Sequence, residues 1–138
     1  MLAEVVMRIL LDFSDTTPVY QQIRDRIVEA IADGSLVEGA RLPTTRQLAA
    51  DLSINFHTVA RAYDLLREEG FIQLARRTGT SVRVTGGPPA RWRGALRTVL
   101  AAAVAKGVPE TEVLSACSEI LEGFAAPPAA GGPLAGRA

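Results

Sequence analysis

One cysteine and one histidine occur among the 138 residues. A lone cysteine excludes an intramolecular disulfide and any cysteine-rich metal site. The single histidine, His57, has no second histidine or cysteine at ligand spacing, so neither a metal centre nor histidine catalysis is expected, and no cofactor is indicated. Long apolar runs are missing too: the longest are a few residues, against the ~20 that a membrane span requires. The first residues show no basic stretch followed by an apolar region, so no secretory leader is expected and a soluble cytoplasmic protein is the default. An excess of charge of one sign is also absent, since 15 basic residues face 15 acidic ones. The 48% apolar content is nevertheless enough for a folded core, and the length suits one ordinary domain with a small appendage.

The zero net charge is unevenly spread. Residues 1–40 hold three basic and seven acidic side chains, residues 41–83 hold seven and four, and residues 84–138 hold five and four. Only the middle segment is distinctly basic, which is the asymmetry that a polyanion-binding face needs.

Hydrophobic spacing places the elements. Residues 8–13, R-I-L-L-D-F, read as a short strand or extended arm. Thr17 as cap and Pro18 at the first helical position open a helix whose stripe is Val19, Ile23, Ile27 and Ile31. Gly34 ends it. A second helix follows Pro43, with Thr44 and Gln47 spaced as a capping box and Leu48, Ala49 and Leu52 on its inner side. After the turn Ser53-Ile54-Asn55, a third helix capped by Asn55 turns Val59, Ala62, Tyr63 and Leu66 inward and leaves His57, Ala60, Arg61, Asp64 and Arg67 outside. Two short β-prone segments, 71–74 and 81–84, then flank the basic loop A-R-R-T-G-T. Three helices and such a hairpin predict a mainly α fold with a small β wing, a winged helix-turn-helix over residues 10–85. Beyond the linker G-G-P-P (86–89), two more helices over 90–124 form an appendage, and residues 125–138 read as a disordered Ala/Gly/Pro tail. Two short amphipathic helices cannot make an independent core. They must pack on the first domain, on a second copy of themselves, or both, and their stripe, Leu96, Val99, Leu100, Val113, Leu114, Cys117, Ile120, Leu121 and Phe124, is the candidate dimerisation face, with Cys117 as a packed thiol. Trp92 is expected to anchor the appendage on the first domain.

A helix-turn-helix presents the start of its second helix to the major groove. Arg46, on the first turn of the preceding helix, can reach a phosphate or a guanine edge. Thr44 and Thr45 beside it can hold a phosphate together with the free helix amides. Phe56 suits a thymine methyl, His57 a base or phosphate, and Thr58 either DNA or the cap of its own helix. Arg61, one turn on, can contact DNA or pair with Asp64. Arg76 and Arg77 at the hairpin tip suit the minor groove or the flanking backbone, and Arg41 a phosphate. For each arginine the bland alternative is a solvated surface charge.

The residues also resemble the GntR family of bacterial transcription regulators, in its short YtrA-type branch. The resemblance covers about residues 10–84 and rests on Pro18-Val19-Tyr20-Gln21-Gln22-Ile23, Gly34-Ser35-Leu36, Gly39, Leu42-Pro43-Thr44-Thr45-Arg46, Leu48-Ala49, Asn55 with Thr58-Val59, Ala62-Tyr63, Leu66, Glu69-Gly70-Phe71-Ile72 and Gly79-Thr80. It implies a homodimer built by the C-terminal helices. It also implies binding to double-stranded DNA at an inverted-repeat operator, and repression of a nearby operon that in this branch can encode an ABC transporter. It points to Arg46, to Asn55, His57 and Thr58, and to the wing tip around Gly79 as DNA contacts. The branch often opens its recognition helix Asn-Pro-Asn, where this chain has Asn55-Phe56-His57, which implies a different operator. Its wing often carries Gly-x-Gly, and Arg77 stands at the first of those glycines. Other branches append a large ligand-binding or aminotransferase-like domain, for which residues 85–138 are too few, so no pyridoxal cofactor is expected. A small-molecule effector would need a pocket between the appended helices or at the dimer interface. The rival reading is a winged-helix adaptor that binds protein rather than DNA. An enzyme is disfavoured because no catalytic constellation is present.

Overall fold

The structure is a computed structural model and describes residues 11–125. Its elements are helices α1 (Val19–Ala32), α2 (Thr45–Leu52) and α3 (Phe56–Glu68), strands β1 (Ile72–Ala75) and β2 (Gly79–Val82), and helices α4 (Trp92–Ala105) and α5 (Glu110–Ala125). Of the expected N-terminal strand or arm, residues 8–10 lie outside the described residues and residues 11–13 form no strand. The expected tail lies outside them as well, apart from Ala125, which closes α5.

The entry to α1 differs from expectation. Pro18 rather than Thr17 occupies the cap position, no side chain caps the helix, and the Pro18 carbonyl accepts the amides of Gln21 and Gln22 at 3.0 and 3.1 Å. Thr17 thus sits one residue too early to cap. Gln22, buried, takes over the ordering of this segment. Its Nε2 donates to the carbonyls of Asp12 and Thr17 at 3.0 and 2.9 Å, and its Oε1 accepts the Asp12 amide at 2.8 Å. One amide side chain so satisfies three backbone groups and ties residues 12–17 to the helix.

The capping box on α2 is present in full: Thr44 Oγ1 accepts the Gln47 amide at 3.0 Å and Gln47 Oε1 accepts the Thr44 amide at 2.9 Å. Ser53 ends α2 in a left-handed conformation (φ 58), and the Ile54 amide returns to the Ala49 carbonyl at 3.0 Å. Asn55 caps α3, its Oδ1 accepting the His57 amide at 2.6 Å. The inner face of α3 is Val59, Ala62, Tyr63 and Leu66, all buried. Ile23 and Ile27 of α1, Leu36, Leu42, Leu48 and Ala49 from α2 and its approach, and Ile72 and Val82 of the wing complete one core around it. Val19, Tyr20, Val28 and Ile31 border that core half-buried. Tyr63 is fixed at both ends, since its ring is in the core and its hydroxyl donates to the Pro43 carbonyl at 2.7 Å. Burial pushes the phenol's pKa up, so it stays a neutral donor.

β1 and β2 pair antiparallel in the register Ile72↔Val82, Gln73↔Ser81, Leu74↔Thr80 and Ala75↔Gly79. The loop is therefore only Arg76, Arg77 and Thr78, shorter than the expected A-R-R-T-G-T. Gly79 and Thr80 belong to β2, whereas Arg83 and Val84 fall outside it. Gly79 makes the tight reversal at φ 80, where an L side chain would be strained. β2 is also tied to the approach to α2: Arg41 bridges Ser81, the Leu42 amide donates to Thr80 and the Val82 amide to Ala40, each at 2.8 Å.

α4 and α5 contain no buried residue. α5 touches α1 and α4, yet Leu96, Val99, Leu114, Ile120 and Leu121 are exposed, Val99 and Leu121 at 65%. Leu100, Val113, Cys117 and Phe124 are half-buried. Trp92, the expected anchor on the first domain, is 46% exposed, with the Arg93 guanidinium 5.0 Å from its ring.

Two glycines separate backbone conformation from crowding. Gly34 and Gly70 both have φ +85, but a Cβ on Gly34 would meet nothing within 4 Å, while one on Gly70 would lie 2.8 Å from the Thr85 carbonyl oxygen. Gly34→Ala should lose roughly 1–2 kcal/mol, the ordinary cost of left-handed backbone with a side chain, and Gly70→Ala clearly more. Urea unfolding midpoints check the ranking, and equal losses would contradict the crowding at Gly70. Tyr63→Phe removes one hydrogen bond and leaves the Pro43 carbonyl to find water, which should cost about 1 kcal/mol in the same assay.

Candidate nucleic-acid interface

The N-terminal turns of α2 and α3 meet at one edge of the core. Arg46, the second residue of α2, is exposed, and its guanidinium lies over the ring of Phe56, the first residue of α3, 4.6 Å from the ring centre. The Phe56 ring in turn meets the His57 ring at 4.2 Å, tilted by 33°. The sequence placed these three residues near one another, but their stacking follows from how α2 crosses α3. His57 is exposed, Thr58 half-buried, and Asn55 exposed with its Oδ1 committed to the cap. The Asn55 side-chain NH2 has no hydrogen-bond partner among the described residues. Thr44 is exposed, and its hydroxyl accepts the capping bond, which leaves its proton free to donate. Thr45 is half-buried.

Charge pairing sorts the arginines. Nine lie between residues 11 and 90. Four of them pair with carboxylates: Arg24 with Asp25 at 3.0 Å and Glu69 at 2.8 Å, Arg26 with Glu29 at 3.6 Å, Arg67 with Asp64, and Arg83 with Glu38 at 3.9 Å. The other five, Arg41, Arg46, Arg61, Arg76 and Arg77, have no carboxylate partner among the described residues. These are the arginines of the approach to α2, the first turn of α2, the outer face of α3 and the wing tip. An unpaired guanidinium keeps its full attraction for a phosphate or an acceptor edge, whereas a paired one must first give up its carboxylate.

Arg61 departs from the expected alternative. Asp64 is taken by Arg67, and the Arg61 guanidinium lies 4.0 Å from the centre of the Tyr20 ring on α1. No local spacing signals this contact between two helices so far apart in the chain. Gly79 is half-buried within β2, where its positive φ turns the hairpin, and Arg76 and Arg77 in the loop before it are exposed. Arg41 is exposed at its bridge to Ser81, which places it where the wing joins the approach to α2.

A cleft of about 720 Å3 lies elsewhere, where the end of α3, the start of the wing and the linker to α4 converge, with Arg24, Glu69, Phe71, Val84 and Pro88 in its lining. It lies neither between the appended helices nor on their exposed apolar stripe, the two places where an effector pocket was considered. Burial opposes the Arg24 charge, but hydrogen bonds and the charges of Glu69 and Asp25 outweigh it and hold its pKa above the ordinary value. Among the described residues no group of three or more His, Cys, Asp or Glu is arranged to hold a metal ion, and no helix is long and apolar enough to cross a membrane.

Comparison with known proteins follows the same boundaries. The model for bacterial regulatory proteins of the gntR family matches residues 19–82, from the first residue of α1 to the last of β2. The HTH-type transcriptional repressor YtrA of Bacillus subtilis is 36% identical over 74 residues, 54% of this chain and 57% of that protein. The HTH-type transcriptional regulator Rv1152 of Mycobacterium tuberculosis is 35% identical over 72 residues, 52% of this chain and 60% of that one. The matches thus span less than two thirds of either relative. Among solved structures, YtrA from Sulfolobus acidocaldarius, a GntR-family transcription factor, superposes with a TM-score of 0.58 at 39% identity, covering 70% of this chain and 97% of that one. A transcriptional antiterminator from Listeria monocytogenes shares the fold with a TM-score of 0.74 over 81% of this chain and 91% of its own, at 24% identity. With a family pattern that coincides with the winged helix-turn-helix, and a solved family member matched over nearly its whole length, the chain belongs to the GntR family of bacterial regulatory proteins, in its YtrA-type branch.

Proposed function

We propose that this GntR-family regulator acts as a homodimer that binds an inverted-repeat site in double-stranded DNA and represses a neighbouring operon, with ABC transporter genes the first to examine. The observation that supports the DNA reading is the distribution of arginines without a carboxylate partner among the described residues: Arg41, Arg46, Arg61, Arg76 and Arg77 lie on the elements that a winged helix turns toward a duplex. The first turn of α3 enters the major groove, where Asn55, Phe56, His57 and Thr58 meet base edges. Arg46 reads a base from beside it, Thr44, Thr45 and Arg41 hold the backbone, and the wing brings Arg76 and Arg77, turned by Gly79, to the adjacent groove. Bound at a promoter, such a protein excludes polymerase by occupancy. The name of the Bacillus relative, a repressor, supports that sign of regulation.

The dimer reading rests on α4 and α5. Leu96, Val99, Leu114, Ile120 and Leu121 keep much of their surface exposed in one protomer, a cost that a second copy removes by covering them. Leu100, Val113, Cys117 and Phe124 lie along the same helices and complete the face. Two-fold symmetry then sets two recognition helices about one DNA turn (~34 Å) or a multiple of it apart. The cleft beside Arg24 sits at the joint between reader and appendage, where a small-molecule effector would alter the angle between them.

In mobility shifts on a duplex selected by the wild-type protein, Arg46→Ala should lose about 1–3 kcal/mol of specific binding. Arg76→Ala should weaken selected and scrambled duplexes alike and lower the salt slope by about one charge. Unchanged affinity in both variants, or binding with no salt dependence, would remove the DNA assignment and favour a protein-binding adaptor. Light scattering at micromolar concentration should give a dimer mass for the wild type and a monomer mass for Leu121→Glu. A monomeric wild type would sink the dimer.

A further inference from the structure

We propose that Phe56 is a positioning residue for base recognition, holding the Arg46 guanidinium face-on so that its donor edge is presented to the DNA. This role rests on the DNA reading above and assigns a task to one of the two residues, Phe56 and His57, at which the chain departs from the Asn-Pro-Asn pattern of its branch.

The stack has both of the parts such a role needs. Arg46 is exposed, has no carboxylate partner among the described residues, and lies over the Phe56 ring at 4.6 Å, within the range of a cation–π contact. Phe56 is itself held. It is the first residue of α3, half-buried against the core, beside the Asn55 cap bond and in contact with the His57 ring. A free arginine side chain loses rotamer freedom when DNA immobilises it. An arginine already lying on an aromatic face has given up part of that freedom in the unbound protein. Stacking occupies the face of the planar guanidinium and leaves its N–H groups in the plane, where they can bond edge-on to two acceptors of a guanine.

A leucine fills much of the same space without a π face, while a tryptophan keeps one. Affinity is measured on a duplex that the wild-type protein recovers from a randomised pool and on a shuffled duplex of equal composition. Phe56→Leu should lower the ratio of selected to shuffled binding roughly two- to fivefold, the size of an exposed cation–π contact, and Phe56→Trp should retain it. In an Arg46→Ala background, Phe56→Leu should add no further loss, the coupling that a double-mutant cycle reads. By NMR of the free protein, ring-current displacement of the Arg46 side-chain protons should be seen in the wild type and Phe56→Trp and be lost in Phe56→Leu. A Phe56→Leu protein that matches the wild type, or a loss that persists undiminished without Arg46, overturns this role alone. A wild type that selects no preferred duplex overturns the regulator reading and this role together.

Discussion

Val59, Ala62 and Leu66 have no exposed surface, and together with Tyr63 they turn one face of α3 wholly into the core. Every other part of the winged helix is arranged around that burial. α1 contributes Ile23 and Ile27, α2 contributes Leu48 and Ala49, and the wing contributes Ile72 and Val82. Because interiors are packed at the density of organic crystals, α3 can neither rotate nor slide without opening cavities. Its outer face and first turn are thereby set in space before any ligand arrives. For the proposed DNA-reading role this is the central requirement, since base edges are distinguished at hydrogen-bond distance.

Hydrogen bonds finish what the core begins. The Tyr63 hydroxyl holds the carbonyl just before α2, the capping box on Thr44 fixes the direction in which α2 starts, and the Asn55 cap does the same for α3. The wing is attached to the same place through the backbone bonds of Ala40 and Leu42 to β2. The approach to α2, helix α3 and the arginine-bearing tip thus form one frame, although they come from three separate stretches of chain. Carboxylates pair with Arg24, Arg26, Arg67 and Arg83, while Arg41, Arg46, Arg61, Arg76 and Arg77 have no carboxylate partner among the described residues.

Much of this was legible without coordinates. The helical stripes, the Thr44–Gln47 box, the Asn55 cap and the inner face of α3 are local patterns, and local patterns carry through because cap chemistry and helical period act within a few residues. The hairpin was legible as a hairpin but displaced by a residue or two, because which residues pair across it depends on the left-handed turn at Gly79 and on the third partner at residues 40–42. Thr17 failed as a cap for a similar reason: Gln22, reaching back over the chain, orders that segment in its place.

The order of elements, the winged-helix class, the basic middle segment and the identity of the outward residues were therefore determined by the sequence alone, since each follows from propensity, period or charge within a short window. Tertiary structure alone decided which arginines are paired, that Arg61 rests on Tyr20 and not on Asp64, that Arg46 stacks on Phe56, and that the appended helices leave their apolar side uncovered. Those outcomes depend on contacts between residues distant in the chain, and such contacts exist only once the core has fixed how the helices cross.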